Sequence, residues 1–298
     1  MFQSLKLGKL FGIDLFVHPT FWLLPIFYFL GGVLAGDFVG AVIDVAVIFA
    51  VFVCIALHEV GHALAAAYYG IQTRHITLYP MGGVAALERM PERPLHEIVV
   101  ALAGPAVNVM IALGLLAGLV IGNVALPGSM ALDGLSLLDQ FVIRLLAINV
   151  FLVVFNLLPA FPMDGGRVFR AMLHSVLPRA DATRVAVGVG SVIAIGFVLV
   201  GLGIAQSVVP LPQPFAKGNV GLVLVGAVVL LLGRAELAQV RAVEARRTWE
   251  RRNGWVEADI PVAEVIRPPR FTGWKFDPDR RVWSEWVDGV VVREVEVV

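Results

Sequence analysis

The 298-residue chain is 58% hydrophobic and only 15% charged, with a mean hydropathy of +0.84, an apolar share above the roughly 45–50% of soluble domains, so the composition marks an integral membrane protein. Twenty-three basic residues balance 23 acidic ones, which gives no support to nucleic acid or an acidic polymer as a partner. The single cysteine, Cys54, excludes a disulfide framework and a cysteine-only zinc site, leaving His and carboxylate to ligate any metal.

Apolar runs long enough to cross about 30 Å of hydrocarbon occur six times, at approximately residues 19–36, 41–69, 96–121, 138–160, 184–206 and 219–239. Runs such as Val45 to Leu57 and Val220 to Leu232 are apolar on every face, which suits helices and not the alternating strands of a membrane barrel. The predicted fold is an all-α polytopic membrane protein with six transmembrane helices, a short membrane-associated β-hairpin and a small soluble C-terminal appendage. Residues 1–240 make the membrane domain, with its core at about 41–177, and 241–298 the appendage.

Lys6 and Lys9 precede the first run, and Val33 and Ala35 also resemble a signal-peptide cleavage site; a retained span is the preferred reading, and removal would leave later orientations unchanged. Between the second and third runs, Thr73 to Tyr79 carries β-branched residues in rough alternation. Pro80, Gly82 and Gly83 follow as turn formers before Val84 to Leu87, a pattern that predicts a β-hairpin. Arg74, Arg89 and Arg93 lie in this connection, Arg167, Arg170 and Arg179 between the fourth and fifth runs, and Arg241, Arg246, Arg247, Arg251 and Arg252 after the sixth. The alternate connections hold mainly Asp37, Asp133 and Lys217, so the positive-inside rule places both termini in the cytoplasm of a multi-pass cell-membrane protein. Arg144 and Asp139 then fall at the outer end of the fourth span, where a long side chain can snorkel. Five of the six tryptophans follow Arg241, and Arg281 to Val287 and Val290 to Val297 flank Asp288-Gly289, a hairpin-turn pair.

The second run contains His58-Glu59-Val60-Gly61-His62, an HExxH pattern on a helix. At 100° per residue the two histidines lie about 40° apart and Glu59 about 60° from His62, so one face offers two metal ligands and a base. An ionisable triplet in an apolar span costs roughly 2.5–3.5 kcal/mol per charged group unless compensated, and zinc bonds supply that compensation. A catalytic zinc takes three protein ligands and leaves one position open; Asp164 is the best third ligand. It follows the fourth run in Asn156-Leu-Leu-Pro159-Ala-Phe-Pro162-Met-Asp164-Gly165-Gly166, where prolines and glycines break the helix and irregular backbone at membrane depth marks a functional cavity. The alternative is a plain interfacial loop in which Asp164 caps the next helix. Zinc lowers the pKa of water and polarises a carbonyl, and Glu59 can move the proton to a leaving amine; peptide hydrolysis suits such a site best.

HEVGH, a later NLLPAFPMDGG, a glycine-rich MGGVA between them, AGPAVN at Ala103 to Asn108 and the opening GIDLFVHPTF together resemble the site-2 protease family of intramembrane zinc metalloproteases, over roughly residues 5–240. The resemblance implies a catalytic core of spans two to four, one zinc ion held by His58, His62 and Asp164, Glu59 as catalytic base, and Asn156 close to the reacting carbonyl. It also supports pairing of the 73–87 hairpin with an extended substrate. No PDZ-like insertion is found, and Val262 to Pro269 is similar only to the opening of a CBS motif. His18, His75, His96 and His174 read as interfacial residues, with His18 able to approach the site, and Cys54 as a core thiol.

The expected function is an intramembrane zinc endopeptidase that cleaves membrane-spanning protein substrates near the cytoplasmic face, in regulated intramembrane proteolysis or clearance of signal-peptide remnants. Its partners are those substrates and the lipid bilayer, with no nucleic acid. The rivals are a metal transporter using the same three ligands and a non-catalytic membrane scaffold. Spans five and six carry almost no polar residues for a transport path, and retention of every expected catalytic residue disfavours the scaffold.

Overall fold

The chain does not begin with its first apolar helix. In the computed structural model, which describes residues 4–80, 82–89, 91, 93–124, 134–204, 219–252, 273–277, 282–287 and 290–296, Leu5–Leu10 (β1) and Ile13–Val17 (β2) pair antiparallel. Phe11 and Gly12, both at positive φ, make the turn between them, the backbone that a two-residue hairpin requires. Strand β2 then pairs parallel with Thr73–Tyr79 (β3), Asp14 opposite His75 and Val17 opposite Leu78. Gly82–Leu87 (β4) completes a sheet of order β1-β2-β3-β4. The hairpin expected at 73–87 is present, but as half of a four-stranded mixed sheet, so the description as all-α with a lone hairpin is corrected. Leu5-Lys6-Leu7, ahead of the first apolar run, alternates as a strand does and begins β1.

Pairing with β3 also delays that span. The His18 N–H donates to the Leu78 carbonyl at 2.9 Å, and the apolar helix starts as a 3-10 turn at Pro19–Trp22 before α1 (Leu23–Leu34). At about 2.0 Å per 3-10 residue and 1.5 Å per α residue the pair reaches roughly 26 Å, short of the hydrocarbon thickness. Five helices among the described residues are long and apolar enough to cross a membrane: α2 (Phe38–Tyr68), α3 (Pro94–Ile121), α4 (Leu137–Asn156), α6 (Arg179–Gly201) and the Val220–Arg246 part of α7 (Val220–Arg252). The fourth run, expected to reach residue 160, stops as a helix at Asn156, ahead of Pro159, whose ring cannot follow in the helix. Asp164–His174 (α5) is the short amphipathic helix that follows.

Helix α2 is the centre of the membrane unit. One face carries Phe52, Ala56 and Val60 into a buried cluster with Val17 and Phe21 from the N-terminal segment and Ile76 and Leu78 of β3, which seats the sheet against the helix. The other face meets α3 so closely that a Cβ on Gly61 would lie 2.7 Å from the Ala103 carbonyl oxygen. Arg144 of α4 pairs with Asp44 of α2 at 2.6 Å.

The chain divides into two compact units, Met1–Glu244 and Ala245–Val298. In the second, Val282–Val287 (β6) and Val290–Glu296 (β7) pair as the expected hairpin, and Gly273–Asp277 (β5), not anticipated, joins β6 in a sheet of order β5-β6-β7. The Asp288-Gly289 turn, Val262 to Pro269, Met81, Asp133 and Lys217 lie outside the described residues.

Candidate metal centre

Helical spacing brings the rings of His58 and His62 edge to face, with centroids 4.7 Å apart, and their Nε2 atoms 3.1 Å from each other. Asp164, at the N-terminus of α5, places Oδ2 3.2 Å from each Nε2. All three side chains are buried, and their ligating atoms lie within 4.8 Å of one another. The broken segment after α4 folds back tightly enough to deliver the carboxylate: a Cβ on Gly165 would lie 2.3 Å from the Leu157 carbonyl oxygen.

The outer nitrogen of each ring is occupied. His62 Nδ1 donates to the Val100 carbonyl at 2.7 Å, so in the neutral ring Nε2 carries the lone pair turned to His58 and Asp164. His58 Nδ1 bonds Asn108 Oδ1, and Asn108 bonds Asn149, both asparagines fully buried. Burial raises the cost of charging Asp164, but a hydrogen bond from either imidazole, once that ring is protonated, outweighs it and lowers the carboxyl below the usual carboxylate range. Two imidazole nitrogens, one carboxylate and outer-nitrogen partners suit zinc. Gly104 supplies the room, because a Cβ there would lie 2.3 Å from His62 Nε2 and 2.6 Å from His58 Nε2.

Glu59 is half-buried beside the cluster and faces β4. Its Oε2 accepts a hydrogen bond from the Ala85 N–H at 3.2 Å, and a Cβ on Gly83 would lie 2.6 Å from Glu59 Cγ. A cavity of about 500 Å³ is lined by His58, Glu59, His62 and Asp164 together with Gly83, Ala85, Asn156 and Arg167. Asn156, the last residue of α4, thus faces the same space as His58, His62 and Asp164.

The other histidines stand apart from the cluster. His18 stacks on Tyr79 with centroids 5.1 Å apart; Tyr79 lines the cavity and His18 does not. His75 packs on Phe16, His96 stacks on Tyr69, and His174 bonds the Leu177 carbonyl. Cys54 is buried, 3.4 Å from Asn149 Nδ2.

Two features escaped the sequence reading. Asn149, a polar residue in an apolar run, could have been found by the cost of burying an amide in a span. Arg170 of α5, 1% exposed, bonds Glu97 of α3 and Glu236 of α7, and its guanidinium lies 5.0 Å from the centre of the Phe161 ring. This buried ion cluster fastens the helix whose first residue is Asp164; nothing in spacing alone pairs residues 73 positions apart.

Comparison with known proteins finds the model of peptidase family M50 matching at residues 46–135 and 123–199. A zinc metalloprotease of Methanocaldococcus jannaschii is 36% identical over 68% of this chain and 55% of its own length. Stage IV sporulation protein FB of Bacillus subtilis is 25% identical over 58% of this chain and 52% of its own length. Among solved structures, a site-2 protease from Methanocaldococcus jannaschii matches with a TM-score of 0.54 and 29% identity, covering 79% of this chain and 95% of that one. The chain spans about half the length of the curated relatives it matches.

Proposed function

The chain belongs to peptidase family M50, the family of the site-2 proteases, and on that premise we propose that it is an intramembrane zinc endopeptidase cleaving transmembrane segments of other proteins near the cytoplasmic face. The observation that carries this is the meeting of two Nε2 atoms of α2 with Asp164 Oδ2 of α5, each nitrogen 3.2 Å from the carboxylate, beside a glutamate that faces the same cavity. His58, His62 and Asp164 would hold one zinc ion per chain. When bound, zinc supplies Lewis acidity toward water and toward the scissile carbonyl.

Glu59 is the general base: its carboxylate takes a proton from water as the water adds to the peptide carbonyl, then delivers that proton to the leaving amine. The Ala85 N–H holds the carboxylate meanwhile. Asn156 lies along the same cavity and donates its amide N–H to the carbonyl oxygen as charge gathers there. A peptide bond in a transmembrane helix is protected by its backbone hydrogen bonds, so the substrate must unwind to react. Strand β4 is an edge of its sheet and lines the cavity, which supports docking of the unwound segment by strand addition.

The charge pattern supports six crossings, with residues 1–240 as the membrane domain, the short helix at Pro19–Leu34 as the first crossing and both termini cytoplasmic. The substrates this reading favours are membrane-tethered regulators or signal-peptide remnants. The test is Glu59→Gln in liposomes with a single-span substrate: cleavage is expected to cease while zinc content stays near that of the unaltered protein. Continued proteolysis by that variant overturns the mechanism.

A further inference from the structure

The hydrogen bonds behind His58 run in one direction, and a backbone carbonyl far from the ring sets it. The Leu145 carbonyl can only accept, so the Asn149 atom 2.9 Å from it is the amide nitrogen. Asn149 therefore turns its Oδ1 toward Asn108. That oxygen can also only accept, so Asn108 presents its own amide nitrogen to it, at 2.9 Å. The Asn108 Oδ1 is left facing His58 Nδ1. An oxygen acceptor there requires the N–H on Nδ1, which leaves the lone pair of the neutral ring on Nε2, toward His62 and Asp164.

His62 reaches the same state in one step, from the Val100 carbonyl. The two imidazoles are thus keyed to two main-chain carbonyls, one on α3 directly and one on α4 through two side-chain amides. Both asparagines are 0% exposed, so no bulk water competes for these bonds. Two amides buried there are tolerated only while they are hydrogen-bonded, and the relay supplies those bonds.

We propose that Asn149 is a positioning residue for the metal centre: acting through Asn108, it holds His58 in the tautomer that presents Nε2 as a ligand. This rests on the zinc reading above and extends it to a residue that touches neither metal nor substrate.

The test uses the full chain in detergent micelles, stripped of metal and titrated with zinc against a chromophoric chelator. Asn149→Leu keeps the volume and removes the relay. Asn149→Ser is a smaller change that still lets the hydroxyl bond the Leu145 carbonyl but does not reach Asn108. Both are expected to weaken zinc binding roughly 10- to 100-fold, the usual effect of losing an outer partner of a metal-ligating histidine. Nitrogen-15 spectra of the metal-free protein at alkaline pH are expected to show the N–H of His58 on Nδ1 in the unaltered chain and shared between the two nitrogens in the variants. Unchanged zinc affinity in a folded variant, or lost affinity with the His58 proton still confined to Nδ1, overturns the proposal. Failure of the unaltered chain to bind zinc would instead overturn the proposed function itself.

Discussion

Gly104 of α3 stands against His62 of α2 so closely that a single added carbon would lie 2.3 Å from the imidazole Nε2. The atom displaced is the one that faces Asp164, so the contact is with the ligating edge of the ring and not its back. Gly104→Ala is expected to leave the helices formed and to weaken zinc binding by roughly 10-fold or more, in the range of other disturbed metal-site neighbours. Chelator competition on the purified variant, alongside circular dichroism to verify helix content, checks this.

Ala85 offers a way to disturb Glu59 without touching it. Its N–H points to the Glu59 carboxylate, away from the partner strand, and proline is tolerated at such outward positions of an edge strand. Ala85→Pro is expected to lower kcat/KM about 10-fold, the worth of one hydrogen bond to a charged group at roughly 1.5 kcal/mol. Zinc content is expected to be unchanged. A cleavage assay with the same single-span substrate decides it.

The Arg170–Glu97 pair is almost wholly buried. Arg170→Met leaves Glu97 in the core without its partner, a loss of about 3–5 kcal/mol for a broken buried pair. The double variant Arg170→Met/Glu97→Gln is expected to recover part of that loss. Unfolding by denaturant in mixed micelles gives both values, and equal stability of all three proteins would show that the pair does not hold α5.

The Lys6 ammonium pairs with Asp14 Oδ1 at 2.7 Å across the first hairpin and holds the carboxyl below the usual carboxylate range. Because the folded pKa is the lower one, the pair favours the folded hairpin above the unfolded carboxylate pKa of about 4 and ceases to do so as pH falls through the folded value. The site is exposed, so the effect is small. Lys6→Gln is expected to raise the Asp14 pKa, read by carbon-13 titration of the labelled carboxyl.

Much of this architecture was legible because lipid imposes strong rules. Long runs without charge had to be helices, and the spacing of His58 and His62 put both rings on one face. Asp164 joined them across 106 residues because a proline- and glycine-broken segment after a span has few other roles. The N-terminal strands were missed for a physical reason: Leu5-Lys6-Leu7 alternates as a strand does, but lysines before an apolar stretch are also what a membrane flank contains. The parallel pairing of β2 with β3 joins segments about 60 positions apart, and no local pattern announces it. Asn149 and the Arg170 cluster are side-chain meetings among three helices each, set by helix rotation that composition does not encode.

The same β2–β3 pairing has a practical consequence for anyone handling the molecule. Residues 14–17 brace the strand at 75–78, which braces β4, whose Ala85 grips the glutamate. Trimming the first seventeen residues, or fusing a bulky tag to them, would therefore loosen one wall of the cavity beside Glu59 from a distance, and an assay that fails in such a preparation would report damage to the scaffold and not to the chemistry.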